Sequence, residues 1–105
     1  MANARTKNII FVDATGDITV DAARPRIWGV LVTPSAANSV VVIKNTSAAG
    51  QTIFNLKIEG IESRYVDFSG MEGTEITSTF NITTLTNVTS VMLYGEFMTK
   101  AGEVL

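Results

Sequence analysis

The chain contains no cysteine and no histidine, only two prolines and one tryptophan, and charged side chains make up just 17% of it. Without thiols there is no disulfide framework and no nucleophilic cysteine, and without imidazole the usual N/S zinc sites are excluded. The commonest general base is missing as well. Eight basic residues are scattered through a chain of net charge −2, which argues against a nucleic-acid partner. No apolar run reaches the length of a membrane span, and the first residues, MANARTKN, contain no apolar segment of signal-peptide type. The expectation is a soluble protein made in the cytoplasm, with no membrane and no nucleic acid among its partners. The sequons at Asn45, Asn81 and Asn87 then carry no glycosylation signal of their own.

What is present is sheet-forming. Eleven valines, ten isoleucines and fourteen threonines make up a third of the 105 residues, against five leucines. β-Branched side chains lose χ1 freedom in helices and pack well on a pleated surface. Turn-forming residues recur near Thr15-Gly16, Ala23 to Pro25, Pro34 to Asn38, Ser47 to Gly50, Gly60, Gly70 to Gly73 and Thr86-Asn87. That spacing suits short antiparallel strands in a sandwich or barrel. It predicts one all-β domain, residues 9–98, with an N-terminal arm (1–8) and a C-terminal tail (99–105). Eight strands are expected, at 8–13, 17–22, 26–33, 39–45, 52–59, 62–68, 75–83 and 89–98. An 11.3 kDa chain of this kind should expose roughly 5,700 Å² of surface when folded.

Two-residue alternation assigns faces. Phe54, Leu56 and Ile58 should point to the core opposite Asn55, Lys57 and Glu59. Ile76, Phe80 and Ile82 should do the same, as should Trp28, Val30 and Val32. Val40 to Ile43 and Val91 to Tyr94 are apolar on both faces, and a strand of that kind is covered on both. The second cover is either another subunit or a loop or arm of the same chain. Val41, Ile43, Met92 and Tyr94 are the candidate subunit-interface residues. The basic arm, with Arg5 and Lys7, leads into the apolar Ile9, Ile10, Phe11 and Val12. These six residues are the candidates for contact with a partner.

Chemistry is scarce. No Ser-x-x-Lys and no Gly-rich phosphate loop occurs, and Asp13-Ala14-Thr15-Gly16-Asp17 reads as a turn. Glu59, Glu62, Asp67, Glu72 and Glu75 face only Arg64 within residues 59–75, a pattern expected of a solvated acidic edge. The imbalance between a basic N-terminal stretch and this acidic segment favours contacts between subunits. Tyr65 alternates with buried neighbours and is expected to be exposed. No catalytic residue, metal ligand or cofactor is expected.

Three stretches carry a resemblance: Arg26-Ile-Trp-Gly-Val-Leu-Val-Thr-Pro34, Ser39-Val-Val-Val-Ile-Lys-Asn45 and Asn87-Val-Thr-Ser-Val-Met-Leu-Tyr-Gly95. Together they resemble the small β-sandwich capsid decoration, or cement, proteins of tailed bacteriophages, over roughly residues 26–95. The resemblance implies a jelly-roll-like sandwich with an extended N-terminal arm. It implies a homotrimer that binds the major capsid protein on the outer surface of the virion and is not an enzyme. The other reading is a ligand- or receptor-binding module of a phage tail or fibre, which would need exposed aromatic side chains.

Overall fold

The computed structural model describes residues 4–5, 8–68 and 74–97. These form antiparallel strands with no helix: β1 (Ala4–Arg5), β2 (Ile9–Val12), β3 (Gly16–Thr19), β4 (Arg26–Pro34), β5 (Ser39–Asn45), β6 (Thr52–Ile58), β7 (Arg64–Asp67), β8 (Thr74–Glu75), β9 (Thr79–Thr86) and β10 (Val88–Glu96). β1 and β8 are two-residue pairings, so the eight expected strands are present. The first sheet runs β1-β2-β10-β4-β7, with β8 also on β4; the second runs β3-β9-β5-β6. The two sheets form a β-sandwich.

The pairing follows a simple scheme. Among the eight main strands the first pairs with the last, the second with the seventh, the third with the sixth and the fourth with the fifth. The chain is thus a single long hairpin with β5 and β6 at its tip. Two further pairings, β4 with β10 and β5 with β9, roll this hairpin onto itself.

Between the sheets lies one apolar layer. Ile10, Val12, Ile27, Val30, Val32, Val91, Leu93 and Phe97 come from the first sheet and its margins. Ile18, Val41, Ile43, Phe54, Ile58, Phe80 and Ile82 meet them from the second. The exposed surface is 5544 Å², close to the size-based expectation. Phe54 and Phe68 meet edge to face, with ring centroids 6.1 Å apart, and close the flank where β6 passes into β7.

Several expectations need correcting. Trp28 does not share the inward face of Val30 and Val32: it is 37% exposed, while both valines are fully buried. The cause is a β-bulge. Tyr94 pairs with Gly29 but Gly95 pairs with Ile27, so Trp28 has no opposite residue and the two-residue phase slips there. Ile27 takes the inward position instead. The expected strand 75–83 is two strands in different sheets, β8 and β9, bridged where Ile76 N–H bonds the Pro25 carbonyl at 3.0 Å. The arm is not simply extended: Ala4 and Arg5 fold back to pair with Phe11 and Ile10. Residues 98–105, including the expected tail, lie outside the described residues.

Two turns match their residues. Asn38 and Asn87 adopt positive φ (60° and 53°), a conformation asparagine tolerates. Asn87 Nδ2 donates to the Ala37 carbonyl at 3.0 Å, tying the β9–β10 turn to the β4–β5 turn.

Phe80→Ala should cost about 3–5 kcal/mol, the range for removing a buried aromatic ring. Trp28→Ala should cost less than half as much in the same urea titration. Equal losses would contradict the bulge.

Candidate functional site

Register places side chains in rows across the first sheet. Phe11, Met92, Leu31 and Tyr65 form one row, and Ile9, Tyr94, Gly29 and Asp67 the next, on the face turned away from the core. Phe11, Leu31, Met92 and Tyr94 are half-buried. Ile9 at one edge is 37% exposed and Tyr65 at the other is 51% exposed. The bulge adds Trp28 to the exposed apolar residues of β4. The result is an apolar, aromatic band running from β2 to β7 on the outside of the sandwich.

The band has internal order. Tyr65 and Tyr94 meet edge to face with centroids 6.0 Å apart, a favourable arrangement for aromatic quadrupoles. The Tyr94 hydroxyl lies 3.7 Å from Met92 Sδ. Tyr65 lies across Gly29 so closely that a Cβ there would overlap its hydroxyl. Glycine is therefore what allows the ring to lie flat on the sheet.

The outer face of the second sheet is different in kind. Val40 pairs with Thr86 and Lys57, and Val42 with Thr84 and Asn55, so polar or charged neighbours flank both half-buried valines. Asn81 Nδ2 donates to Asp17 Oδ1 at 2.8 Å, and Thr83 Oγ1 donates to Asn81 Oδ1 at 2.8 Å. Such a face is hydrated at little cost. An apolar face is not, and large contiguous apolar patches are uncommon on monomeric proteins.

The expected site residues divide accordingly. Met92 and Tyr94 are on the outward band, whereas Val41 and Ile43 are 1% and 0% exposed in the core between the sheets. These two are filled by contacts within the chain and have no face left for a subunit. Of the six partner-contact candidates, Ile9 and Phe11 are turned outward. Ile10 and Val12 are fully buried core residues, Arg5 lies in β1 at the sheet edge, and Lys7 is outside the described residues. The alternation within β2 separates the four apolar residues, two to each face. Leu31, Gly29, Tyr65 and Trp28 complete the band, and sequence reasoning did not group them. Only the pairing register brings β4 and β7 beside β10.

The described carboxylates of the acidic segment do not converge, and Glu72 lies outside the described residues. Among the described residues no three Asp or Glu side chains come together as metal ligands. Glu75 instead pairs with the exposed Arg24 at 3.1 Å, where such a pair contributes little, and lies 3.9 Å from the half-buried Arg26. Among the described residues no cavity opens in the surface. The turn from Asp13 to Asp17 links β2 to β3, with Gly16 at φ 133°, a backbone region suited to glycine.

Gly29→Ala should destabilise the fold by about 1–3 kcal/mol through overpacking, and Tyr65→Ala in the same chain should recover most of the loss. A double-mutant cycle by chemical denaturation checks this; additive losses would mean that the ring does not lie on Gly29. No protein-family model matches the chain, and no curated protein or solved structure matches it either.

Proposed function

We propose that this chain is a virion structural protein: a capsid decoration, or cement, protein of a tailed bacteriophage that stabilises the shell by binding major capsid subunits. In this reading it acts as a homotrimer on the outer capsid surface, is synthesised in the host cytoplasm and is not an enzyme. The observation that carries the proposal is the apolar outer face of the first sheet. The two sheets cover each other's inner faces, and among the described residues nothing lies over that band, which suits an assembly. Met92 and Tyr94, now joined by Phe11, Leu31 and Tyr65, are the proposed subunit contacts. The pairing order, a long hairpin rolled on itself, supports the jelly-roll part of the reading.

The shell-binding element is the basic N-terminal arm ahead of β2. Removing residues 1–12 would strip Ile10 and Val12 from the core, so the informative truncation stops at residue 7. That variant should keep its cooperative unfolding transition and lose co-sedimentation with shells assembled from the major capsid protein. Full binding by the truncated chain would refute the arm's role, and failure of the intact chain to bind any such shell would refute the decoration reading.

One observation favours the second reading, a ligand- or receptor-binding module of a tail or fibre. Trp28 and Tyr65 are both exposed, at 37% and 51%, and exposed aromatic rings stack on sugars. A glycan-array signal abolished by Tyr65→Ala, with unfolding unchanged, would support it; an array without signal would remove it.

A further inference from the structure

The two flanks of the sandwich are closed to different degrees. On the β2–β3 side the inward residues Ile10, Val12, Ile18 and Val20 are at most 3% exposed. On the β6–β7 side Leu56 and Val66 are only half-buried. Both point inward, since Leu56 pairs with Val41 and Val66 with Val30, two core residues. The Phe54–Phe68 contact closes this flank two residues further along each strand and leaves Leu56 and Val66 at the rim.

An open backbone edge runs along that rim. Among the described residues β6 pairs with β5 alone. The Glu59 carbonyl accepts the Asn38 N–H at 3.1 Å. By the alternation of an antiparallel ladder, Asn55 and Lys57 then bond towards β5, and the N–H and C=O groups of Leu56 and Ile58 point away from it. Proteins blunt such edges by keeping them short, charged, bulged or interrupted by proline. β1, β3, β7 and β8 are short, at two to four residues. β6 has seven, Thr52–Ile58, with no proline and a single charge, Lys57. The register shift in its pairing with β5 falls before Phe54, so the stretch from Phe54 to Ile58 is regular.

We propose that β6 accepts an extended segment of a partner protein as a fifth strand of the second sheet, the strand-addition mode of peptide recognition. Main-chain bonds at Leu56 and Ile58 hold the segment. Its inward side chains cover Leu56 and Val66 and are therefore apolar. Its outward side chains lie beside the exposed Asn55 and Lys57, and the position opposite Lys57 takes a carboxylate, because opposite charges favour a cross-strand pair. The partner chemistry is thus an extended stretch with apolar residues at every second position and acidic residues between them.

A second copy of the chain is a poorer occupant. In every antiparallel register that joins two β6 edges through Leu56 and Ile58, the two Lys57 side chains lie opposite or diagonal to one another, where like charges repel. The contact lies apart from the outer band of the first sheet and from the N-terminal arm, and it stands whether or not the chain binds shells.

Amide hydrogen exchange of the full chain, read by NMR, tests the edge first without a partner. The amides of Leu56 and Ile58 should exchange at least tenfold faster than those of Asn55 and Lys57. Equal protection would mean that the edge is already covered, by the same chain or by a second copy, and overturns the proposal. The probe for the partner is a capped peptide of alternating Val and Glu, about eight residues long, enough to span one strand. It should slow exchange at Leu56 and Ile58 at least tenfold and saturably. Lys57→Glu should weaken binding of this peptide at least tenfold and turn the preference towards a peptide of alternating Val and Lys. Lys57 is exposed, so the variant should keep its unfolding transition. No protection by the peptide, protection confined to the β3 or β7 edge, or indifference to Lys57→Glu likewise overturns the proposal.

Discussion

The fold depends on the layer of branched apolar side chains held between the two sheets. Ile10, Val30, Val32, Ile43, Phe80, Leu93 and Phe97 are all fully buried there, and every strand of four or more residues except the short β7 contributes a wholly buried residue or a large part-buried one. Burial of this area is the main favourable term available to a chain that has no cysteine to cross-link. It also sets the phase of each strand. Once Val91 and Leu93 are committed to the core, Met92 and Tyr94 must face outward, because successive side chains alternate.

The asymmetry of the two outer faces follows from that commitment. On the second sheet the outward positions of β5, β6 and β9 are largely Thr, Asn and Lys, so the two half-buried valines there are isolated. On the first, the outward positions of β2, β10, β4 and β7 include Ile9, Phe11, Met92, Tyr94, Leu31 and Tyr65, and register aligns them into two adjacent rows, the second ending in Gly29 and Asp67. The same composition placed one residue out of step would have buried these side chains and exposed the valines. Gly29 completes the arrangement by leaving space over the sheet for Tyr65, which brings that ring to Tyr94.

Much of this organisation was legible in the sequence. The strand at 52–59 alternates as expected, with Phe54 and Ile58 inward and Asn55 and Lys57 outward, because neither flank of that alternation is disturbed before Ile53. The strands apolar on both faces read as covered on both, by another subunit or by a loop or arm of the same chain. For Val40 to Ile43 the outward cover is provided by threonines and polar residues of neighbouring strands, so the excess apolarity signified less than it did in β10. The expected core position of Trp28 was wrong because a two-residue period is only as good as the register behind it, and one unpaired residue in the bulge inverts the phase.

By itself the sequence determined the all-β class, most strand positions, the lack of thiol and imidazole chemistry and the two-residue alternation within each strand. These are local properties, set by side-chain shape, turn residues and polarity over a few neighbours. Tertiary structure decided which strands lie side by side, where the bulges fall, and hence which apolar residues share a face. It alone brought Phe11, Leu31, Tyr65 and Met92 into one row and put Arg5 and Asp67 on opposite edges of one sheet. Those partners are up to 81 residues apart in the chain, as Phe11 and Met92 are, and hydrogen-bond register between distant strands is a collective outcome of packing that no local pattern encodes.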